Sequence, residues 1–103
     1  MYKVVDGEIY DTHTAKRIAF YEFSKIGNWE WIYKVLYRTP SGKYFTYETG
    51  GCGTEYAVRA DNKMVGARYQ IFPATDDQAR RFLEENQPRL ALELFASFYE
   101  EKQ

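Results

Sequence analysis

The sequence predicts a single α+β domain: a twisted antiparallel sheet of four to six strands, packed on one face by two C-terminal helices. Short runs of Tyr, Phe, Val and Ile alternate with turn residues up to residue 73, as strands do. From residue 75 to residue 102, apolar residues recur at helical spacing. A chain of 103 residues has the length of one domain. We therefore expect one domain over 1–103, with a β-rich part, 1–73, and a helical part, 75–102.

The first strands are predicted from a hairpin signal at the start of the chain. Asp6-Gly7 separates two short β-type runs, 3–5 and 8–10. Asp-Gly suits a tight hairpin turn because both turn positions need positive φ. The segment that follows, with alternating apolar positions, fits either a strand or a short helical turn followed by a strand, and the strand is preferred for residues 16–23.

The clearest element is a second hairpin, around the loop "PSG" at 40–42. Proline presets φ at the first turn position, and glycine takes the left-handed conformation without strain. This turn fixes a register in which Arg38 faces Tyr44 and Lys34 faces Glu48. Because successive side chains of a strand point to opposite sides, the register also divides the hairpin into two faces.

The first of these faces, the Phe45 face, is apolar and continuous, so we expect it to lie against the helices and form the core. Its residues are Trp29, Trp31, Tyr33, Val35, Tyr37, Phe45 and Tyr47. The second, the Tyr44 face, carries an opposite-charge pair and an Arg–Tyr pair, so we expect it to face solvent. Its residues are Ile32, Lys34, Leu36, Arg38, Tyr44, Thr46 and Glu48.

The rest of the chain predicts short strands and then two helices. Strands are expected at 56–59 and 67–72, with a turn at 61–63, and Pro73 is expected to end the last strand. Thr75 and Gln78 have the spacing of a capping box, and Pro88 marks the start of a second helix. These parts add further core candidates: Ile71, Phe82, Leu83, Leu90, Leu94 and Phe98.

Composition limits the classes of function. The net charge is −1, so no basic footprint indicates strong nucleic-acid binding. A single cysteine excludes an internal disulfide and favours a cytoplasmic protein. No apolar run approaches membrane-spanning length and the start has no signal-peptide pattern, so no membrane partner is expected. Aromatic residues make up 18%, and rings in excess of the core would form a partner surface.

Candidate chemistry is sparse. Cys52 lies between glycines, but a nucleophilic thiol needs a base within reach, and the only histidine, His13, is distant in sequence. Asp11 and His13 are too few for a zinc site. The glycine-rich loop lacks the GK[ST] of a P-loop. We therefore predict no enzyme, no catalytic residue, no cofactor and no metal, and keep a Cys52–His13 enzyme as an alternative to be tested by distance.

The segments "IYDTHTAKRIA", "LYRTPSGKYFTYETGG" and "YQIFPATDDQARRFLEEN" resemble a group of small bacterial, phage and mobile-element proteins with no assigned activity. The resemblance covers most of the chain. The chain departs from the pattern at Ala74, where leucine is more usual, and in a longer, more apolar second helix. Small mobile-element proteins often act by binding another protein, so the resemblance implies such a role, including inhibition of host defence.

The leading hypothesis is a non-enzymatic protein-binding accessory or inhibitory module whose partner is a host protein or a second copy. One alternative is weak nucleic-acid binding on the Tyr44 face through Lys34, Arg38, Lys43, Tyr44 and Arg59. Two others are acidic helices that mimic nucleic acid and a protein of unknown function with no small-molecule chemistry. The candidate interaction surface comprises Arg38, Lys43, Tyr44, Gly50, Gly51, Cys52, Phe95 and Tyr99.

Overall fold

The computed structural model describes residues 1–23, 32–50, 58–60, 63–65 and 69–101, and within them it confirms the α+β fold class. The strands are β1 (Tyr2–Val5), β2 (Glu8–Asp11), β3 (Lys16–Phe23), β4 (Ile32–Arg38), β5 (Tyr44–Gly50), β6 (Val58–Ala60), β7 (Lys63–Val65) and β8 (Gln70–Ala74). The helices are α1 (Asp76–Asn86), α2 (Pro88–Leu94) and α3 (Ala96–Glu100). Trp29, Trp31, Gly51 and Cys52 lie outside the described residues.

The main sheet has four antiparallel strands in the order β3-β4-β5-β8. The register predicted for β4 and β5 is confirmed, since Arg38 lies opposite Tyr44 and Lys34 opposite Glu48. Gly42 has φ +92° and its amide donates to the Thr39 carbonyl at 2.9 Å. The left-handed glycine therefore closes the loop as the sequence predicts.

The hairpin β1–β2 forms a second layer on the Phe45 face. Its turn has positive φ at Asp6 and Gly7, as predicted. The Tyr10 ring meets the Phe45 ring edge-on at 5.7 Å. Tyr10, Phe45 and Ile71 are the buried residues of this core.

The three helices lie on the opposite side, the Tyr44 face, where α1 contacts β3, β5 and β8. Leu36 is 0% and Tyr44 3% exposed, so the expectation that this face is open to solvent is wrong. The buried residues of this core are Ala19, Leu36, Tyr44, Ala79, Leu83 and Ala91. The charged residues of the face do not prevent coverage, because Lys34 pairs with Glu48 and Arg38 lies at the exposed end of β4.

The capping box at the start of α1 is confirmed. The Gln78 amide donates to the Thr75 hydroxyl at 3.1 Å, and the Thr75 amide donates to the Gln78 side chain at 2.8 Å. The second predicted helix is broken at Phe95 (φ −120°, ψ 35°) into α2 and α3. This break turns Phe95 onto the Tyr44 ring, at 5.7 Å. Leu94 is left exposed, so its assignment to the core is wrong.

Proline 73 does not end the last strand, which continues to Ala74. Pro73 lies opposite Phe45 in β8, and β8 is an edge strand of the main sheet. An edge strand needs no ladder donor on its outer side, so proline is tolerated there. The strand predicted at 56–59 is observed as β6. It pairs with β7 in a separate small hairpin.

Candidate functional site

The outer face of the β1–β2 hairpin is apolar and open to solvent. Tyr2, Val4 and Ile9 are 69%, 58% and 59% exposed. Val4 lies directly opposite Ile9 in the register, and Tyr2 is two positions along the same strand, so all three point away from the sheet. The inner side of the hairpin contributes Tyr10 to the core. One layer therefore carries apolar side chains on both sides.

At Tyr2, this apolar row reaches the edge strand of the main sheet. A cleft of about 280 Å³ joins the start of the chain to β8, with Tyr2, Tyr69 and Phe72 in its lining. Tyr69 and Phe72 are both exposed, and the Tyr69 ring stacks on Tyr47 at 5.0 Å. We name this set of exposed apolar residues the apolar surface: Tyr2, Val4, Ile9, Tyr69 and Phe72.

The edge strand next to the apolar surface is blunted. The Lys3 ammonium donates to the Ile71 carbonyl at 3.3 Å, and Pro73 has no N–H to offer. Lysines and prolines are the usual means by which proteins keep an edge from pairing with a foreign strand. A partner would therefore be recognised at this edge by side chains rather than by an added strand.

A second cleft, of about 320 Å³, lies between the sheet and α1. Its walls include Leu36, Phe72 and Phe82. At its lining, the Lys34 ammonium lies 3.5 Å from the Glu48 carboxylate, and the Thr46 hydroxyl donates to the same carboxylate. An apolar cleft with a paired charge in it can accommodate a side chain that is apolar along its length and polar at its tip. Phe72 also belongs to the apolar surface, so the two features meet at β8.

The structure separates the residues of the predicted interaction surface. Tyr44 is buried against Phe95, so its ring cannot stack on a ligand, and burial raises the pKa of its hydroxyl. Gly50 is buried at the end of β5. Tyr99 belongs to α3 and its hydroxyl donates to Glu84 of α1. Of that set, Arg38 and Lys43 are exposed, and Gly51 and Cys52 fall outside the described part of the chain.

Sequence analysis did not single out Arg80, which organises the helices. Its guanidinium donates to Asp77 and to Glu84, both at 2.9 Å, and lies 3.9 Å from the centre of the Phe98 ring. The hydrogen bond from Arg80 lowers the pKa of the Asp77 carboxyl, and that from Tyr99 lowers the pKa of Glu84. The i,i+3 and i,i+4 spacings around position 80 were the available signal. The network joins α3 to α1 and has a structural role.

The groups considered for catalysis do not form a site in the described residues. The His13 side chain is 81% exposed, and its Nδ1 lies 3.3 Å from the Asp11 carboxylate. The His13 backbone N–H donates to the same carboxylate at 2.8 Å and lowers the pKa of Asp11. The part of the chain that the structure describes holds no group of three or more His, Cys, Asp and Glu residues able to bind a metal. Cys52 lies outside the described residues, so the Cys52–His13 alternative stays a prediction.

Comparisons with known proteins give no match: no family model fits the sequence, and no curated protein or solved structure is significantly similar to it. The resemblance to mobile-element proteins therefore stays a prediction. None of the described helices is long and apolar enough to cross a membrane. The geometry of the chain itself is the basis for any functional proposal.

Proposed function

We propose that this protein is a non-enzymatic binding module that recognises another protein through the apolar surface. The single observation that carries the proposal is the exposure of Tyr2, Val4 and Ile9 on the outer side of the β1–β2 hairpin. Adjacent exposed apolar side chains, including aromatic ones, are typical of protein-binding sites.

The stability of the domain does not require these side chains. Both cores are built from residues that face inward: Phe45 with Tyr10 on one side of the sheet, Leu36 with Leu83 on the other. A two-stranded hairpin with Thr or Lys on its outer side would bury the same inner side. Apolar residues on the outer side lower solubility, and the cross-strand contact of Val4 with Ile9 contributes only about 0.2–1 kcal/mol, so a partner that covers them accounts for their presence.

The resemblance to mobile-element proteins suggests which kind of partner this protein binds. A small mobile-element protein that binds a host protein would act as an accessory factor or as an inhibitor, for example of a defence system. A cytoplasmic location belongs to the same proposal and is supported by the low cysteine content of the chain.

The test compares two charge insertions at equally exposed apolar positions. Ile9→Glu alters the apolar surface, whereas Leu92→Glu alters α2, where Leu92 is 57% exposed. Light scattering after size exclusion reports self-association, and quantitative affinity capture from a host lysate reports other partners. We expect Ile9→Glu to weaken the dimer, or the capture of a specific protein, about tenfold or more, and Leu92→Glu to retain it.

Either form of binding, lost with Ile9→Glu alone, supports the proposal and identifies the partner as a second copy or as a host protein. The proposal is wrong if the wild-type protein is a monomer that captures nothing specific. It is equally wrong if Ile9→Glu, Leu92→Glu and the wild-type protein all bind with the same affinity. Circular dichroism of both variants verifies that the fold is intact.

A further inference from the structure

A third cleft, of about 470 Å³, lies at the tip of the β4–β5 hairpin, and its lining shares no residue with the apolar surface. It is formed where the end of β4 and its loop meet the start of β3. The lining residues are Thr14, Lys16, Arg38, Thr39, Pro40, Ser41 and Gly42. The cleft is therefore lined by hydroxyl groups and by two cations.

The two cations face each other. Lys16 of β3 lies directly opposite Arg38 of β4, and like charges at opposed positions of a sheet destabilise it. Neither side chain forms an ion pair with any carboxylate in the described part of the chain. Lys43, exposed on the far side of the same loop, adds to the positive potential. A bound anion would remove this repulsion.

The exposed Arg38 side chain lies over an aromatic ring and passes close to a glycine. Its Cζ lies 5.4 Å from the centre of the buried Tyr44 ring, which offers the guanidinium a fixed aromatic surface. On the other side it passes Gly42, where an added Cβ would lie 3.6 Å from Nη2. The planar guanidinium carries its donors in a fork that can bind two oxygens of one anion, and the ring beneath it favours this orientation.

Hydrogen bonds within the loop that frames the cleft define its conformation, and the loop also donates a hydrogen bond to the Glu8 carboxylate. The Lys43 amide donates to the Thr39 hydroxyl at 3.0 Å, and the Thr39 and Ser41 hydroxyls lie 3.0 Å apart. Ser41 in turn donates to Glu8 at 3.1 Å. The Glu8 carboxylate is thus hydrogen-bonded to Ser41, while Arg38 and Lys16 remain available.

We infer that this cleft binds a phosphate group, with the Arg38 fork on two oxygens and the Lys16 ammonium on a third. Two opposed cations match the two charges of a terminal phosphate better than the single charge of a carboxylate, and the cleft volume of about 470 Å³ admits a phosphate with a substituent. The phosphate belongs either to a free nucleotide, whose terminal phosphate offers three such oxygens, or to the backbone of a nucleic acid, whose phosphodiester offers the two cations one charge and two free oxygens. The inference does not depend on the proposed protein-binding function, because the residues of the two sites are separate.

The experiment measures binding by calorimetry and by amide NMR shifts at constant low ionic strength. The probes are inorganic phosphate, a 5′-mononucleotide and a single-stranded oligonucleotide, with chloride as the reference anion. The variants are Arg38→Lys, which keeps the charge but not the fork, and Lys16→Gln. Arg89→Gln, at an exposed position of α2, is the matched control that removes one positive charge elsewhere.

We expect one site per chain, with amide shifts centred on residues 39–43, and a loss of about tenfold in affinity for each of Arg38→Lys and Lys16→Gln. Arg89→Gln should bind as the wild-type protein does. Equal affinity for phosphate and mononucleotide identifies a free anion as the ligand. A tighter, strongly salt-dependent oligonucleotide complex identifies a nucleic-acid backbone. Absence of binding by every probe, or a loss in Arg89→Gln equal to that in the two cleft variants, overturns the inference.

Discussion

The two faces of the main sheet are covered in different ways. On the Tyr44 face, helices pack small residues such as Ala79 and Ala91 closely against Leu36. On the Phe45 face, a two-stranded hairpin covers aromatic rings. The longest helix, α1, buries Ala79 and Leu83 and turns most of its charged residues to water. The helix α2 leaves Leu92 exposed, and the hairpin turns Val4 and Ile9, which lie opposite each other, to water. The proposal assigns the helical layer to the fold alone and the hairpin layer to both the fold and an interaction surface.

Removing the central side chain of either core tests whether both layers stabilise the domain, and the effect is the largest expected. Phe45→Ala should lower the free energy of unfolding by about 3–5 kcal/mol, and Leu83→Ala by about 2–5 kcal/mol, because both positions are fully buried. Urea unfolding measures the change. A loss below about 1 kcal/mol for Phe45→Ala would mean that the hairpin layer contributes little to the fold.

The register of the central hairpin was predictable because a local feature, the turn at 40–42, determines it. The covered face was not predictable from the same alternation, which shows which residues share a face but not which layer lies on it. On this face, Leu36 lies between the charged residues at 34 and 38 of the same strand, and Tyr44 lies opposite Arg38 on the next strand. A solvent-exposed face can have the same pattern. The signal against it was Leu36 itself, because an apolar side chain between charged neighbours still needs a cover.

Strand order explains the other omission. Arg38 and Lys43 were selected from the sequence because they are close along the chain. Lys16 was not, although it lies opposite Arg38, because periodicity does not reveal that β3 pairs with β4. The break at Phe95 was likewise missed, since α2 and α3 continue one apolar pattern and the ring contact with Tyr44 that favours the break is a tertiary one.

Substitutions in the two hairpin turns should change the free energy of unfolding by an intermediate amount. Gly7 and Gly42 have φ +79° and +92°, a region in which a Cβ costs about 1–2 kcal/mol. Gly7→Ala and Gly42→Ala should therefore destabilise the protein by similar amounts in urea unfolding. Gly42→Ala should lower phosphate affinity relative to Gly7→Ala, because a Cβ at positive φ strains the loop that borders the cleft beside Arg38, whereas Gly7 lies in the other hairpin. Equal affinities would show that Gly42 serves the turn alone.

The helical layer should have its own acid dependence. The carboxyls of Asp77 and Glu84 have pKa values lowered from 3.8 and 4.5 in the folded protein. As the pH falls, the two carboxyls therefore take up protons in the unfolded chain before they do so in the folded protein. The stability that their lowered pKa values give to the folded protein is complete above about pH 5 and is lost as the pH falls through the folded pKa values. Thermal unfolding between pH 3 and about pH 6 should show a steeper loss for wild-type protein than for Arg80→Gln. Parallel curves would exclude Arg80 as the cause of the lowered pKa of Asp77, since Glu84 keeps its hydrogen bond from Tyr99 in this variant.

The smallest expected effect is the most informative about the hairpin layer. Val4→Thr keeps the β-branched shape, and its side chain is mostly in water, so the free energy of unfolding should change by no more than about 0.5 kcal/mol. Val35→Thr is the matched control: the same substitution in β4, where Val35 is 2% exposed, buries a hydroxyl and should cost about 1–3 kcal/mol. If Val4→Thr is as costly as Val35→Thr, the outer face of the hairpin is covered within the protein itself. If it is neutral in stability yet weakens partner binding, those apolar side chains are retained for the partner and not for the fold.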